Sequence, residues 1–195
     1  YEQANDYCLW RSLSVTNEFK KTQDKDDKYE YFFEFRLPTI NEWEFAATIG
    51  IDSIANPFGN NVIFKPISKT TLKKLIKKDK RILPFWPDLM NARDVYLINS
   101  NVKESYLIRD ISKYISFDKD NDIQTVDVFS YQPNRLKIFK MNGNLSEMTN
   151  EKGIAKGGAF KDKIDTISIK TNFKYSNPEK WLGFRCVCIV HVKKK

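Results

Sequence analysis

One histidine, three cysteines and a run of closely spaced aspartates are the side chains in this 195-residue chain whose types and spacing could do chemistry. His191 is the only histidine, so a multi-histidine metal site is excluded, and a Ser-His-Asp or Cys-His mechanism would have to run through this one residue. It stands in Cys188-Ile189-Val190-His191-Val192, an apolar, β-branched stretch that reads as a strand, and it is taken as a strand residue without a catalytic role. Asp118, Asp120 and Asp122 have the spacing of an opening EF-hand loop. Ile123 stands where that loop needs glycine and Phe129 where it needs its closing glutamate, so an acidic solvated loop is the better reading. Only seven glycines are present, with no Gly-x-Gly-x-x-Gly and no phosphate-binding loop, so nothing points to a nucleotide-phosphate cradle. The cysteines are Cys8, Cys186 and Cys188.

The net charge of +8 raises the question of nucleic acid, but it is local. Lys69, Lys73, Lys74, Lys77, Lys78, Lys80 and Arg81 face a single Asp79, and Lys193, Lys194 and Lys195 end the chain; together these two segments carry more than the whole excess. Leu72, Leu75 and Ile76 recur at helical spacing within the first segment, and Thr70 or Thr71 offers an N-cap. The spacing predicts a short basic helix over 70–81. A solvated helix face is the first reading, and Lys73, Lys74, Lys77, Lys78, Lys80 and Arg81 form a candidate patch for an anionic surface or glycan. No base-stacking or groove-reading motif accompanies them, so no nucleic-acid partner is expected. The longest apolar run, Cys186 to Val190, is far short of the roughly 18 to 20 residues of a membrane-spanning helix, so no transmembrane segment is expected. The opening Tyr-Glu-Gln-Ala shows no leader and reads as a processing or artificial boundary.

Elements must position these groups. Ala4, Tyr7, Cys8 and Leu9 predict an amphipathic helix from Glu2 to about Phe19, followed by a charged loop over 23–28 and an aromatic run, Tyr29 to Phe35. Thr39 with Glu42 three residues on is a capping box, and Trp43, Ala46 and Ala47 supply the buried stripe of a second helix. From Ile49 to Val128 the chain is rich in Asn and Lys, broken by Pro57, Pro66, Pro84 and Pro87, and reads as an irregular, loop-dominated middle. Short strands are expected over 126–131, 154–160, 164–170 and 183–192. Two early helices and scattered late strands make the class α+β, in one domain over 1–195.

Phe35-Arg36-Leu37-Pro38-Thr39-Ile40-Asn41-Glu42-Trp43-Glu44-Phe45-Ala46-Ala47 closely resembles a signature of the formylglycine-generating enzyme, or sulfatase-modifying factor, family. Tyr1 to Cys8 with Trp10 resembles the family's preceding helix, and Met141 to Met148 its Gly-Asn-Val-x-Glu-Trp segment. Ala155-Lys156-Gly157-Gly158-Ala159-Phe160 resembles its Arg-Gly-Gly-Ser-Trp strand, and Leu182 to Cys186 its closing Gly-Phe-Arg motif. The blocks keep the family's order. Residues 51–125 match none of them and read as a divergent, loop-rich insertion, and the family's portion before the first helix is absent from this sequence. The resemblance implies a C-type-lectin-like α+β fold with two early helices, short antiparallel strands and much irregular loop. Gly143, Gly157, Gly158 and Gly183 fall within the blocks, as tight turns require. Trp43, Trp181 and Phe184 beside them read as core, and Arg36 and Arg185 call for buried acceptors, with Glu42 and Glu44 as candidates.

The resemblance also states what chemistry to expect and what is missing. Formylglycine-generating members carry two copper-binding cysteines after the Gly-Gly-Ser strand, and here those positions are Asp162 and Ile167. Neither supplies a thiolate, so no copper is expected and formylglycine synthesis is not. Relatives using non-haem iron take histidines from a further domain that this sequence lacks. The family's Ca²⁺ site would take the carbonyls of Gly143 and Leu145 and the carboxylate of Glu147, but Lys140 stands at the upstream Asn or Asp ligand position and could pair with Glu147 in the ion's place. The resemblance further implies a Cys8–Cys186 disulfide joining residues 178 apart, worth roughly 4 to 5 kcal/mol in the chain-entropy model and requiring an oxidising compartment. In a reducing compartment all three cysteines are apolar packing. The expected protein is a non-catalytic binding or structural module, exported to the periplasm or cell surface. Its wording is nearest Bacteroidetes-type gliding-motility and type IX secretion lipoproteins, with protein partners in an envelope complex. An enzyme of divergent chemistry, using Asp162, Asp165 or Tyr175, and a lectin-like ligand-binding protein are the alternatives.

Overall fold

A computed structural model describes residues 1–49, 64–78, 83, 86–92, 94–98, 104–109, 116–118, 125–129, 133–163 and 166–195. It is a mixed helix and sheet structure in which four helices and short strands are joined by long irregular connections. Helix α1 (Glu2–Thr22) buries Ala4, Cys8, Ser12 and Thr16, one residue per turn, rather than the Ala4, Tyr7, Cys8, Leu9 set the sequence offers. Tyr7 and Leu9 are exposed. A stripe of small residues lets α1 lie close enough to strand β1 (Tyr29–Arg36) for its hydroxyls to reach backbone: Thr16 Oγ1 accepts from Phe33 N at 3.0 Å and Ser12 Oγ from Phe35 N at 2.7 Å.

Helix α2 (Ile40–Thr48) starts with the expected capping box, Thr39 and Glu42 each accepting from the other's backbone N–H. Its inner face sets Trp43 and Ala47 in a cluster with Met141 and Ile169, with Ala46 packed against it. A second cluster, Ala4, Cys8 and Leu37, joins α1 to the segment entering α2.

Among its described residues, the middle of the chain carries strands and helices. Strands β2 (Phe64–Ile67), β3 (Asp94–Ile98), β4 (Glu104–Arg109) and β5 (Ser116–Asp118) form an antiparallel four-stranded sheet. Pro66 is accommodated because β2 is an edge strand, where a missing N–H can face away from the ladder. The basic helix α3 runs Lys69–Lys78; Ser68, not Thr70 or Thr71, accepts from Thr71 N at its start, and Lys80 and Arg81 lie outside the described residues. Leu72 and Ile76 of α3 pack with Val95 and with Leu89 of α4 (Trp86–Asn91) in a core of their own.

The last third supplies β6 (Ser146–Met148), β7 (Ile154–Lys156), β8 (Phe173–Lys174) and β9 (Leu182–Phe184), in the order β8-β7-β6-β9. Alongside the expected short antiparallel strands, the β6–β9 pair is parallel, because a long connection brings the chain back alongside β6. Strand β10 (Val187–Lys194) pairs with β1. Residues 126–129 and 166–170 form turns and extended coil rather than strands, with Tyr131 and Ile164 outside the described residues. Asp127 Oδ1 accepts from Phe129 N and Ser168 Oγ from Lys170 N; such local acceptors favour turns over a ladder. Trp43 is core as expected, whereas Trp181 is half-buried under Lys161 and Phe184 is exposed.

Candidate functional site

Strand β7 is followed by Gly157 and Gly158, both left-handed at φ +88° and +67°. A Cβ on Gly157 would sit 2.7 Å from the Met141 carbonyl and 2.9 Å from the Trp43 ring, and one on Gly158 2.5 Å from Ile167. Glycine is thus required for close approach as well as for backbone angle. The Gly157 carbonyl accepts from Gly143 N at 2.9 Å, which draws the segment around 141–145 against the end of β7. Asp162 and Ile167, which the sequence resemblance sets at the two cysteine positions, lie just beyond. Asp162 turns its carboxylate into its own loop, Oδ2 accepting from Ala159 N at 2.8 Å, and Ile167 is fully buried against Gly158.

At the indole N–H of Trp43, Glu147 gathers three donors. Oε2 accepts from Trp43 Nε1 at 2.8 Å and from Arg185 Nε at 2.7 Å, while Oε1 accepts from Arg185 Nη2 at 2.6 Å. Arg185 also donates to the Phe139 carbonyl at 2.9 Å. Burial works against the guanidinium, and the Glu147 charge and hydrogen bonds outweigh it, so its pKa is raised. Of the two expected acceptors, Glu42 does serve Arg36, bidentately at 2.7 and 2.8 Å. Glu44 serves lysines instead: fully buried Lys156 at 2.9 Å, which also reaches Asn172 Oδ1 at 3.0 Å, and exposed Lys170. Glu147 was missed as the partner of Arg185 because 38 residues separate them; the signal was a carboxylate in the Gly-Asn block and an arginine in the closing block, both in apolar surroundings.

A cleft of about 450 Å³ lies beside this pair, with Lys137, Lys140, Asn144, Leu145 and Phe184 among its lining residues. Lys137, Lys140 and Asn144 are all left-handed, the described non-glycine residues with positive φ. The donor set around Gly143, Leu145 and Glu147 does not fit Ca²⁺. Its one carboxylate is already held on both oxygens by Arg185 and Trp43, and Lys140 brings a positive charge to the upstream ligand position.

Cys8 and Cys186 meet as free thiols, with Sγ atoms 3.1 Å apart. Burial, then the hydrogen bond with Cys186, pushes the Cys8 thiol up to about 12. Cys188 is exposed, so it is not the apolar packing residue expected of it in a reducing compartment. His191 sits in β10 with Nε2 2.7 Å from Glu34 Oε2. Lys73, Lys74 and Lys77 line the outer side of α3, exposed. Asp165 lies outside the described residues, and the Tyr175 hydroxyl is buried with its pKa raised, chiefly by that burial. No described helix is long and apolar enough to cross a membrane.

These features define an α+β protein whose loop-rich body is held by glycine turns and by arginine–glutamate and lysine–glutamate pairs. The chain belongs to the sulfatase-modifying factor family: the family model described as "Sulfatase-modifying factor enzyme 1-like domain" matches residues 1–190. No curated protein matches the chain. Among solved structures it is similar to one titled "Crystal Structure of CarF", at 20% identity and a TM-score of 0.36, with 83% of this chain covered. The chain spans about half the length of that protein, 48% of it.

Proposed function

We propose that this chain is a binding or structural module of the sulfatase-modifying factor fold rather than a formylglycine-generating catalyst. The observation that carries the reading is the filling of the two cysteine positions: Asp162 is spent on its own turn and Ile167 is sealed into the core. Thiolate chemistry has no atoms there to use, and soft-metal capture by sulfur has none either. Oxidation of a cysteine-containing sulfatase peptide, with copper supplied and mass spectrometry as readout, is expected to leave the peptide unchanged. Formylglycine in the product would overturn the reading.

In its narrower form the proposal places the module at the periplasmic or cell-surface side of a bacterial envelope, in an assembly such as the gliding-motility and type IX secretion machinery. Support comes from the wording of Ala155-Lys156-Gly157-Gly158 and Gly183 to Cys188, and from the Cys8–Cys186 contact, which an oxidising compartment would close into a disulfide. Residues 51–125, with their own sheet and core, would be an insertion on this frame. Affinity capture from envelope extract is expected to recover stoichiometric protein partners. Recovery of glycan or small ligands alone would favour the lectin-like reading, which the cleft beside Arg185 supports.

A further inference from the structure

The β1–β10 ribbon has one sealed edge and one open edge. Lys195 N donates to Lys28 O at 2.9 Å, and the register pairs Tyr29 with Lys194 and so on to Arg36 with Val187. Alternation in an antiparallel ladder then turns the even residues of β10, Cys188, Val190, Val192 and Lys194, away from β1, and the odd residues of β1 away from β10. Outward groups of β1 are met from α1 and the turn after it at several positions: Thr16 takes Phe33 N, Ser12 takes Phe35 N, and Gln23 Nε2 donates to Tyr29 O. Among the described residues nothing reaches the outward groups of β10.

The side chains are open too. Val190 and Val192 share the face on which α1 covers β1, yet they are 48% and 55% exposed. Ile189 and Phe32 are exposed on the opposite face. An edge strand guarded against association carries charge or proline within its length, whereas here the lysines stand only at its end and Val187–Val192 is bare but for His191.

We propose that the outer edge of β10 docks an extended segment of a partner protein as an added antiparallel strand, apolar at alternate positions and acidic where it lies against Lys193, Lys194 and Lys195. A backbone is the ligand that matches a row of alternating N–H and C=O groups at two-residue spacing, and the tri-lysine end sets the charge of what approaches it. A second copy pairing β10 with β10 would set each tri-lysine end against the apolar start of its mate, so the charge complementarity points to a different chain.

This inference names the kind of partner for the binding-module reading and rests on that reading; formylglycine formation would end the reading and leave the strand edge untouched. The probe is a fluorescein-labelled peptide of three acidic residues followed by alternating Val and Thr, titrated into the whole chain by anisotropy and followed by amide hydrogen exchange. Binding is expected, with new protection at Cys188, Val190 and Val192 and none at Ile189 or His191. A peptide with lysines in place of the acids should bind about tenfold more weakly or worse. Val190→Pro removes only an outward N–H and should weaken binding by about tenfold with the β1 ladder intact. Val192→Glu, which leaves the backbone alone, is expected to do the same. Three outcomes overturn the proposal: no protection of these amides at saturating peptide, protection already present in the free monomer, or protection that appears only with dimerisation in sedimentation.

Discussion

Glu147 is the residue on which the body of this fold turns, since one carboxylate answers both the Trp43 indole and the Arg185 guanidinium. Breaking such a pair from one side costs more than the pair itself contributes, because the remaining charge is left without an acceptor. Glu147→Ala is therefore expected to destabilise by roughly 2 to 3 kcal/mol, below the range for a fully buried pair because Arg185 keeps 27% of its side chain in water. Glu147→Gln, which still accepts from the indole, should lose less; urea denaturation of both variants checks the order. Sequence reasoning reached Arg185 as a residue needing an acceptor but not Glu147 as that acceptor. What joins them is the parallel β6–β9 pairing, Glu147 opposite Gly183, and no local pattern encodes which distant strand a strand will choose. Arg36 and Glu42 were legible for the opposite reason, being six residues apart across one helix start.

At the scale of elements, the capping box of α2 was readable because its chemistry spans four residues, and it makes a pH prediction. Glu42 is held down at about 2, first by its hydrogen bond to Arg36 and then by that to Thr39 N. A carboxylate depressed in the folded state contributes stability in full above its ordinary 4.5 and loses it as pH falls toward 2. The stability difference between the protein and Glu42→Gln should accordingly be largest at neutral pH and shrink between those two values, as acid-dependent urea midpoints would show. The Gly157-Gly158 turn was legible as a turn, but its tightness came only from what surrounds it: Ile167 and the Met141 carbonyl arrive from the segments that follow and precede β7 and its turn. Gly158→Ala combines a left-handed φ with a 2.5 Å approach to Ile167, so it should cost more than the roughly 1 kcal/mol of a backbone effect alone, whereas Gly153→Ala, whose nearest neighbour is at 3.4 Å, should stay near that figure. Thermal midpoints of the two variants test the difference. The sheet β2-β3-β4-β5 went unread because strands of three to six residues, one carrying proline and all set among Asn and Lys, show neither a helical nor a two-residue period long enough to stand out. Only their mutual pairing makes them strands.

Across the whole molecule, α1 at one end of the chain and β10 at the other lie on the same strand, β1, so the two ends of the sequence are neighbours in space. Cys8 and Cys186 stand where those ends meet, their Sγ atoms 3.1 Å apart, and a bond between them would close nearly the whole chain into one loop. An oxidised pair would act mainly on the unfolded chain, whose entropy it restricts, by roughly 4 to 5 kcal/mol for a loop of this length when no native strain opposes it. Reduction should thus lower the denaturation midpoint of the wild type and leave Cys8→Ser unmoved. Thiol counting on the unfolded protein separates the states: one free thiol, Cys188, before reduction and three after. In the folded, reduced protein the order of alkylation should follow exposure, Cys188 first and Cys8 last, because burial and the neighbouring sulfur hold the Cys8 thiol protonated up to about 12. Reaction of Cys8 as fast as Cys188 at neutral pH would mean that α1 opens from β1 in solution, and with it the sealed edge against which the open edge of β10 is defined.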